Sequence, residues 1–154
     1  MDKLRKSIIT GFYMGEIPVL GPTLGTLEGM LYYLVTYHVC PVNLRNLVLG
    51  IGVVFFTGLC LWWGGWAERY FNKKDPRPFV LDEIAGFLLA CLFIKPMLTP
   101  VALVLFRFFD GVKPFPIKRS QALPAGAGIV VDDLLAGVYT NLCIQLIAWK
   151  LFVN

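Results

Sequence analysis

Apolar residues dominate five stretches of the chain, and polar or turn-forming residues separate these stretches from one another. The apolar stretches cover residues 24–39, 47–66, 84–94, 101–109 and 129–152. A helix that crosses a bilayer needs about 20 apolar residues, so the third and fourth stretches are short. Pro96 and Pro100 separate this short pair, because proline lacks the N–H group of a helix interior. The pattern predicts an all-α fold in which some helical segments are short or broken.

The composition places this helical pattern in a membrane. Of the 154 residues, 57% are hydrophobic and only 16% are charged, and the mean hydropathy is +0.69. Soluble domains average about 25% charged residues. We therefore expect an integral membrane helical bundle with about four to five membrane-embedded segments. The length suits one domain, so residues 1–154 are predicted to form a single membrane-embedded domain.

The positions of the basic residues predict an orientation. Most of the 14 lysines and arginines lie in the N-terminal segment, the second-to-third connection and the fourth-to-fifth connection. If five segments alternate across the bilayer, these three regions share one side. The positive-inside rule assigns that side to the cytoplasm. The net charge of +4 says little about nucleic acid, and we expect no nucleic-acid partner.

Three acidic clusters fall on the same predicted side. They are FVLDEIAG (79–86), LFRFFDGVKPFPIKR (105–119) and GAGIVVDDLLAG (126–137). Carboxylates gathered at an interface repel one another unless a cation neutralises them, and Mg²⁺ favours oxygen ligands together with water and phosphate. The alternative is helix capping, which explains Asp82 and Asp132 singly. It explains less well two acidic pairs that are each followed by a glycine, Gly86 or Gly137.

The spacing around Asp110 indicates a site for a phosphate. Arg107 precedes Asp110 by three residues and Lys113 follows it by three, so all three share one face of a continuing helix. Pro114 and Pro116 then end that helix. A cation, a carboxylate and a second cation suit a phosphate bound beside a metal ion. A solvated rim with a local ion pair explains the same spacing equally well.

Two glycine-containing loops offer further anion sites. The stretch PAGAG, with Gly126 and Gly128, precedes the last apolar segment, and GPTLGTLEG, with Thr23 and Thr26, precedes the first. Backbone N–H groups at helix starts bind anions. Glu28 lies within the first segment, where an acid is either functional or a cap.

The acidic clusters together resemble a known family. The runs FVLDEIAG, FRFFDGVKPFPIK and GAGIVVDDLLAG, in this order, are similar to the phosphatidylglycerophosphatase A family. The resemblance covers residues 15–136. It implies a Mg²⁺-dependent lipid phosphatase of the bacterial cytoplasmic (inner) membrane. Such an enzyme removes the terminal phosphate of phosphatidylglycerophosphate to give phosphatidylglycerol.

The resemblance also implies roles for individual residues. The implied catalytic residues are Asp82, Glu83, Asp110, Asp132 and Asp133. The implied metal ligands are Asp82, Glu83, Asp132 and Asp133. The residues expected to contact the substrate phosphate are Arg107, Lys113, Thr23, Thr26, Gly126 and Gly128. The chain departs from the family pattern in the exchanged order of Gly21 and Pro22 and in Ala125, where glycine is usual.

These expectations leave two functions and two mechanisms open. The alternative function is a non-enzymatic membrane protein that binds or transports a divalent cation. Glu28 within the first segment and the break between the third and fourth segments favour this alternative. That alternative predicts acids along a path across the membrane, whereas a phosphatase predicts acids grouped on one face. Either water or an aspartate attacks phosphorus in the enzymatic case. The oligomeric state is not given by the sequence.

Overall fold

The computed structural model describes residues 2–152 of the chain, and these form helices joined by turns. Met1, Val153 and Asn154, which the predicted domain includes, lie outside the described residues. No strand occurs in residues 2–152, so the predicted all-α fold is confirmed. The helices are α1 (Asp2–Ile9), α2 (Gly21–Val39), α3 (Arg45–Phe71), α4 (Leu81–Ala90), α5 (Thr99–Val112), α6 (Ile117–Ser120) and α7 (Ala125–Phe152), and 3₁₀ turns occur at Met14–Glu16 and Pro96–Leu98.

Each predicted apolar segment corresponds to one helix, α2, α3, α4, α5 or α7. The short helices α1 and α6 were not predicted, because they are rich in charged and polar residues. The expected break between the third and fourth segments is present, and the 3₁₀ turn that contains Pro96 lies within it. Helix α5 ends at Val112, just before Pro114, as the prolines predict.

Two helices, α3 and α7, are long and apolar enough to cross a membrane. Helix α3 directs large apolar side chains outward, and Val54 and Trp62 are 73% and 82% exposed. Water would solvate such a surface poorly, whereas lipid chains match it. The outward face of α3 therefore fits contact with lipid.

Helix α4 lies at the centre of the bundle and packs against α2, α3 and α7. Nearly all of its residues are buried, including Phe87 and Leu88 at 0% exposure. The carbonyl groups at a buried helix end need donors. Asn141 of α7 supplies them, because its Nδ2 donates to the carbonyl oxygens of Ala90 at 3.0 Å and Leu92 at 2.7 Å. The other end of α4 carries Asp82 and Glu83.

Candidate functional site

Three buried carboxylates meet where α4 packs against α7. Asp82 and Glu83 lie in the first turn of α4, and Asp133 lies about two turns into α7. One carboxylate oxygen from each residue lies within 4.8 Å of the other two. The three residues are 4–6% exposed. Negative charges that are this close together and buried away from water repel one another strongly. The arrangement therefore favours binding of a cation that neutralises them.

A partly buried ion pair lies beside the three carboxylates. Lys113, which ends α5, places its Nζ 2.6 Å from Oδ2 of Asp132. Gln121 also donates to this oxygen, from Nε2 at 3.1 Å. Burial alone lowers the pKa of Lys113, but the hydrogen bond from Lys113 to Asp132 and the nearby carboxylates raise this pKa above its usual value. Lys113 is therefore a permanent cation of the site at neutral pH.

The three charged residues around Asp110 lie together in the structure. Nη1 of Arg107 lies 2.9 Å from Oδ2 of Asp110, and Nζ of Lys113 lies 3.6 Å from Oδ1. Lys113 reaches both aspartates because it has a left-handed backbone (φ 48°) at the end of α5. This turn directs the ammonium group toward α7. The geometry thus links Asp110 on α5 to Asp132 on α7.

These side chains surround one cavity of about 290 Å³, here named the acidic cavity. Its lining comes from the start of α2, the α3–α4 connection, the start of α4, the end of α5 and the first part of α7. The predicted grouping of the acids at one end of the bundle is confirmed for the residues that line it. They include Asp82, Glu83, Asp110, Asp132, Asp133, Arg107 and Lys113.

Side-chain capping hydrogen bonds do not account for the acids of the site, although Asp82 and Glu83 lie in the first turn of α4. The residue before α4 is Val80, and α4 has no side-chain hydrogen bond at this cap. Asp132 lies inside α7 rather than at its start. Oδ1 of Asp82, Oε2 of Glu83 and Oδ1 of Asp132 are buried, and within the described part of the chain they accept no hydrogen bond. Buried oxygens without donors are costly, so a ligand is the simpler explanation.

The unpaired carboxylate oxygens fit a divalent cation as their ligand. Mg²⁺ binds oxygen at 2.0–2.1 Å in near-octahedral geometry, so neighbouring ligand oxygens are about 3 Å apart. Carboxylate oxygens within 4.8 Å of one another can reach one such ion when the side chains close around it. Asp82, Glu83 and Asp133 form the compact set. Asp132 differs from the predicted set of four, because Lys113 and Gln121 occupy its Oδ2 and only Oδ1 is available.

The two glycine-containing loops contribute less than predicted. Oγ1 of Thr26 donates to the carbonyl of Pro22 in its own helix at 3.1 Å. Pro22 lines the acidic cavity, whereas neither Thr23 nor Thr26 is among the described residues that do so. Gly126 packs against α3, since a Cβ there would lie 2.1 Å from the carbonyl oxygen of Cys60. Gly128 lines a neighbouring cavity.

Three residues of the site received no role from the sequence. Asp75 and Arg77, in the α3–α4 connection, line the acidic cavity, and Gln121 donates to Asp132. Burial raises the pKa of Asp75, and the carboxylate of Asp132 raises it further. The sequence predicts only that the stretch KKDPRP, with Asp75, lies in a basic connection on the same side of the membrane as the other acids. Its proximity to α7 depends on the tertiary fold, so sequence spacing gave no indication of it.

The fold and the cavity define a helical protein in which carboxylates and cations face one space suited to a phosphate beside a divalent cation. The family model described as phosphatidylglycerophosphatase A matches residues 7–148 of the chain. The chain therefore belongs to this family, and its class of enzyme is a phosphatase. The resemblance noted from the sequence is confirmed.

Individual relatives agree with this membership. A Bacteroides thetaiotaomicron protein with the provisional name phosphatidylinositol-3-phosphatase is 30% identical over 145 residues, which cover 91% of each chain. The Haemophilus influenzae phosphatidylglycerophosphatase A is 30% identical over 141 residues, covering 86% of this chain and 81% of the relative. The Escherichia coli phosphatidylglycerophosphatase A is 28% identical over 136 residues, covering 85% and 76%. No solved structure matches the chain.

Proposed function

We propose that the protein hydrolyses the terminal phosphate monoester of phosphatidylglycerophosphate to phosphatidylglycerol and phosphate, with Mg²⁺ as its cofactor. The observation that carries the proposal is the set of three buried carboxylates, within 4.8 Å of one another, in a cavity that Lys113 and Arg107 also line. Family membership supports a phosphatase, and the names of two relatives support this substrate.

Asp82, Glu83 and Asp133 would hold the metal ion, and Oδ1 of Asp132 is available beside them. A bound Mg²⁺ would supply charge neutralisation for the phosphoryl oxygens and a lowered pKa for water. Lys113 and Arg107 are placed to bind the terminal phosphate from the other wall. Asp132 and Asp110 orient these two cations through the ion pairs of 2.6 and 2.9 Å.

In the hydrolysis, an oxygen nucleophile attacks phosphorus and the bond from phosphorus to the glycerol oxygen breaks. Asp110 is placed to accept a proton from an attacking water, and the glycerol oxygen takes up a proton as it leaves. The rival route has an aspartate of the cavity as nucleophile, with water releasing the phosphate in a second step. The stereochemical course at phosphorus separates these routes, and it is measured with a terminal thiophosphate made chiral by ¹⁸O and with ¹⁷O-labelled water. Direct attack by water is one displacement and inverts the configuration, whereas the two displacements of the aspartyl route retain it.

We place the protein in the bacterial cytoplasmic membrane as a single multi-pass domain. The two long apolar helices support a membrane location, and the helices α2, α4 and α5 would complete about five embedded segments. The basic connections at the cavity end favour a site that faces the cytoplasm. In this arrangement the acyl chains of the substrate stay in the bilayer while its headgroup enters the acidic cavity.

Two alternatives to this proposal are a cation transporter and a phosphatase with a different lipid substrate. A cation transporter requires acids along a path across the bundle, whereas the acids of the site line one cavity and Glu28 lies in a separate apolar groove. The name of the Bacteroides relative favours a second substrate, phosphatidylinositol 3-phosphate.

The test of the substrate is phosphate release by the purified, detergent-solubilised protein from three lipids with the same acyl chains. These are phosphatidylglycerophosphate, phosphatidic acid and phosphatidylinositol 3-phosphate. We expect the highest kcat/KM with phosphatidylglycerophosphate. Preference for the inositol lipid would overturn the proposed substrate, and no release from any lipid by folded protein would overturn the proposed function.

A further inference from the structure

A second cavity adjoins the acidic cavity and has a different character. Its volume is about 460 Å³, and it is here named the basic cavity because Lys73, Lys74 and Arg77 line it. Glu68, Asp75, Gln121 and Gly128 also line it. Lys73, Lys74 and Arg77 are exposed, and none of them forms a salt bridge with the described residues. These cations are available to an anionic ligand.

The two cavities share a wall. Asp75 and Arg77 line both of them. Gln121, on the wall of the basic cavity, donates to Asp132 of the acidic cavity. A ligand with two anionic groups joined by a short linker can therefore place one group in each cavity.

The end of α3 positions the lysines. Asn72 has a left-handed backbone (φ 49°) that stops the helix, and the N–H of Lys73 donates to the carbonyl of Glu68 at 3.1 Å. This closing turn holds Lys73 and Lys74 next to the last turn of α3. Glu68 lines the same cavity, and its buried Oε1 has no donor among the described groups.

We propose that the basic cavity binds the non-reacting part of the substrate headgroup, which is a phosphodiester followed by a glycerol hydroxyl. Lys73, Lys74 and Arg77 bind the diester anion, and Oε1 of Glu68 accepts a hydrogen bond from the hydroxyl. This inference rests on the proposed function, since it names the specificity determinant of the same site. It predicts that the protein prefers a lipid with two phosphates over phosphatidic acid, which has a monoester and no diester.

The first test compares two substrates in the double variant Lys73→Gln/Lys74→Gln. Arg77 is left unchanged because it also lines the acidic cavity. Loss of charge-assisted hydrogen bonds to the diester is expected to lower kcat/KM for phosphatidylglycerophosphate about tenfold, and that for phosphatidic acid less than about twofold. Inhibition by phosphatidylglycerol, which has the diester and no monoester, is expected to weaken by the same factor. Inhibition by inorganic phosphate is expected to stay unchanged.

The matched control is Lys3→Gln/Lys118→Gln, which removes two exposed lysines that line neither cavity. An equal fall in kcat/KM for both lipids in Lys73→Gln/Lys74→Gln would show that the two lysines only attract anionic lipids in general. That result would overturn the proposal. Weakened inhibition by inorganic phosphate would assign the cavity to free phosphate and would also overturn it. A wild-type protein that hydrolyses neither lipid would remove the proposed function and this inference together.

The role of Glu68 is tested with a substrate whose glycerol hydroxyl is replaced by hydrogen. In the wild type, this replacement is expected to lower kcat/KM severalfold, because Glu68 loses its donor. In Glu68→Ala the two substrates are expected to react equally. A discrimination that persists in Glu68→Ala would remove Glu68 from the site.

Discussion

Gly86 of α4 and Gly137 of α7 touch backbone to backbone. A Cβ on Gly137 would lie 2.3 Å from the carbonyl oxygen of Gly86, and a Cβ on Gly86 would lie 2.6 Å from the carbonyl oxygen of Asp133. Asp82 and Asp133 each lie four residues before their glycine, which is about one helical turn. The close crossing of the two helices therefore brings the carboxylates of the site together.

We predict that Gly137→Ala destabilises the protein and lowers its activity. The methyl group meets backbone, so the helices must separate, at a cost of about 1–3 kcal/mol. Separation also moves Asp133 away from Asp82. Thermal unfolding and phosphate release measure the two effects. The control is Gly58→Ala on α3, where a Cβ meets no atom within 4 Å. Equal melting temperatures for the two variants would contradict the account.

The three-carboxylate site predicts a change in how stability responds to metal. Asp133→Asn removes one of the mutually repelling buried charges, so its melting temperature in EDTA is expected to exceed that of the wild type. The wild type is expected to gain several degrees in Mg²⁺, because binding to the folded state at about 100 times Kd contributes roughly 2.7 kcal/mol. Asp133→Asn is expected to lose most of this gain.

Glu16→Gln serves as the control for this measurement, because Glu16 pairs with Lys6 at 2.6 Å away from the acidic cavity. Its response to Mg²⁺ is expected to match that of the wild type. An Asp133→Asn protein that is still stabilised as strongly as the wild type would remove Asp133 from the metal site.

Lys113 is predicted to be essential to turnover. Lys113→Gln removes the cation that faces the phosphate and leaves Asp132 with Gln121 as its remaining partner. Removing one preorganised group of this kind costs about 10²- to 10³-fold in kcat. Steady-state kinetics on phosphatidylglycerophosphate give the measurement, and Lys118→Gln on α6 is the matched control. A loss of less than about threefold in Lys113→Gln would disprove the assigned role.

Asn141 is predicted to stabilise the fold without taking part in the chemistry. Asn141→Ala removes the side-chain donor to the carbonyl of Ala90 and leaves the carbonyl of Leu92 with only the longer hydrogen bond from Nε2 of Gln145 at 3.4 Å, which costs about 1–3 kcal/mol. The melting temperature is expected to fall, and kcat at low temperature is expected to stay close to that of the wild type. Asn43→Ala, at an exposed position, is the control. An unchanged melting temperature in Asn141→Ala would show that other groups satisfy these carbonyls.

The apolar pattern predicted where most helices lie but not how each helix is surrounded. The third segment was predicted at 84–94, whereas α4 covers Leu81–Ala90 and contains both acids. A short run that is apolar on all sides fits a central helix and a membrane segment equally well. The carboxylates of α4 and α7 lie in one site because the two helices cross at Gly86 and Gly137. This crossing is a tertiary contact, which the apolar pattern does not predict.

Glycine was the least informative residue type in the sequence. Gly126 was predicted to bind phosphate, yet in the structure it lets α7 approach α3, since its Cα faces Gly64. An anion-binding loop and a close helix crossing both require a residue without a side chain, so the sequence alone does not separate them. The charged residues were more informative, because Arg107, Asp110 and Lys113 lie together in the structure as their spacing predicted.

The most direct test of the central claim is phosphate release from phosphatidylglycerophosphate by wild type and Asp133→Asn, first with Mg²⁺ and then with EDTA. We predict turnover by the wild type in Mg²⁺, its loss in EDTA and recovery when Mg²⁺ is restored. Asp133→Asn is predicted to be inactive or to require far more Mg²⁺. Turnover that is indifferent to EDTA, or an Asp133→Asn protein with wild-type activity at the same Mg²⁺ concentration, would contradict a metal-dependent phosphatase site at these carboxylates.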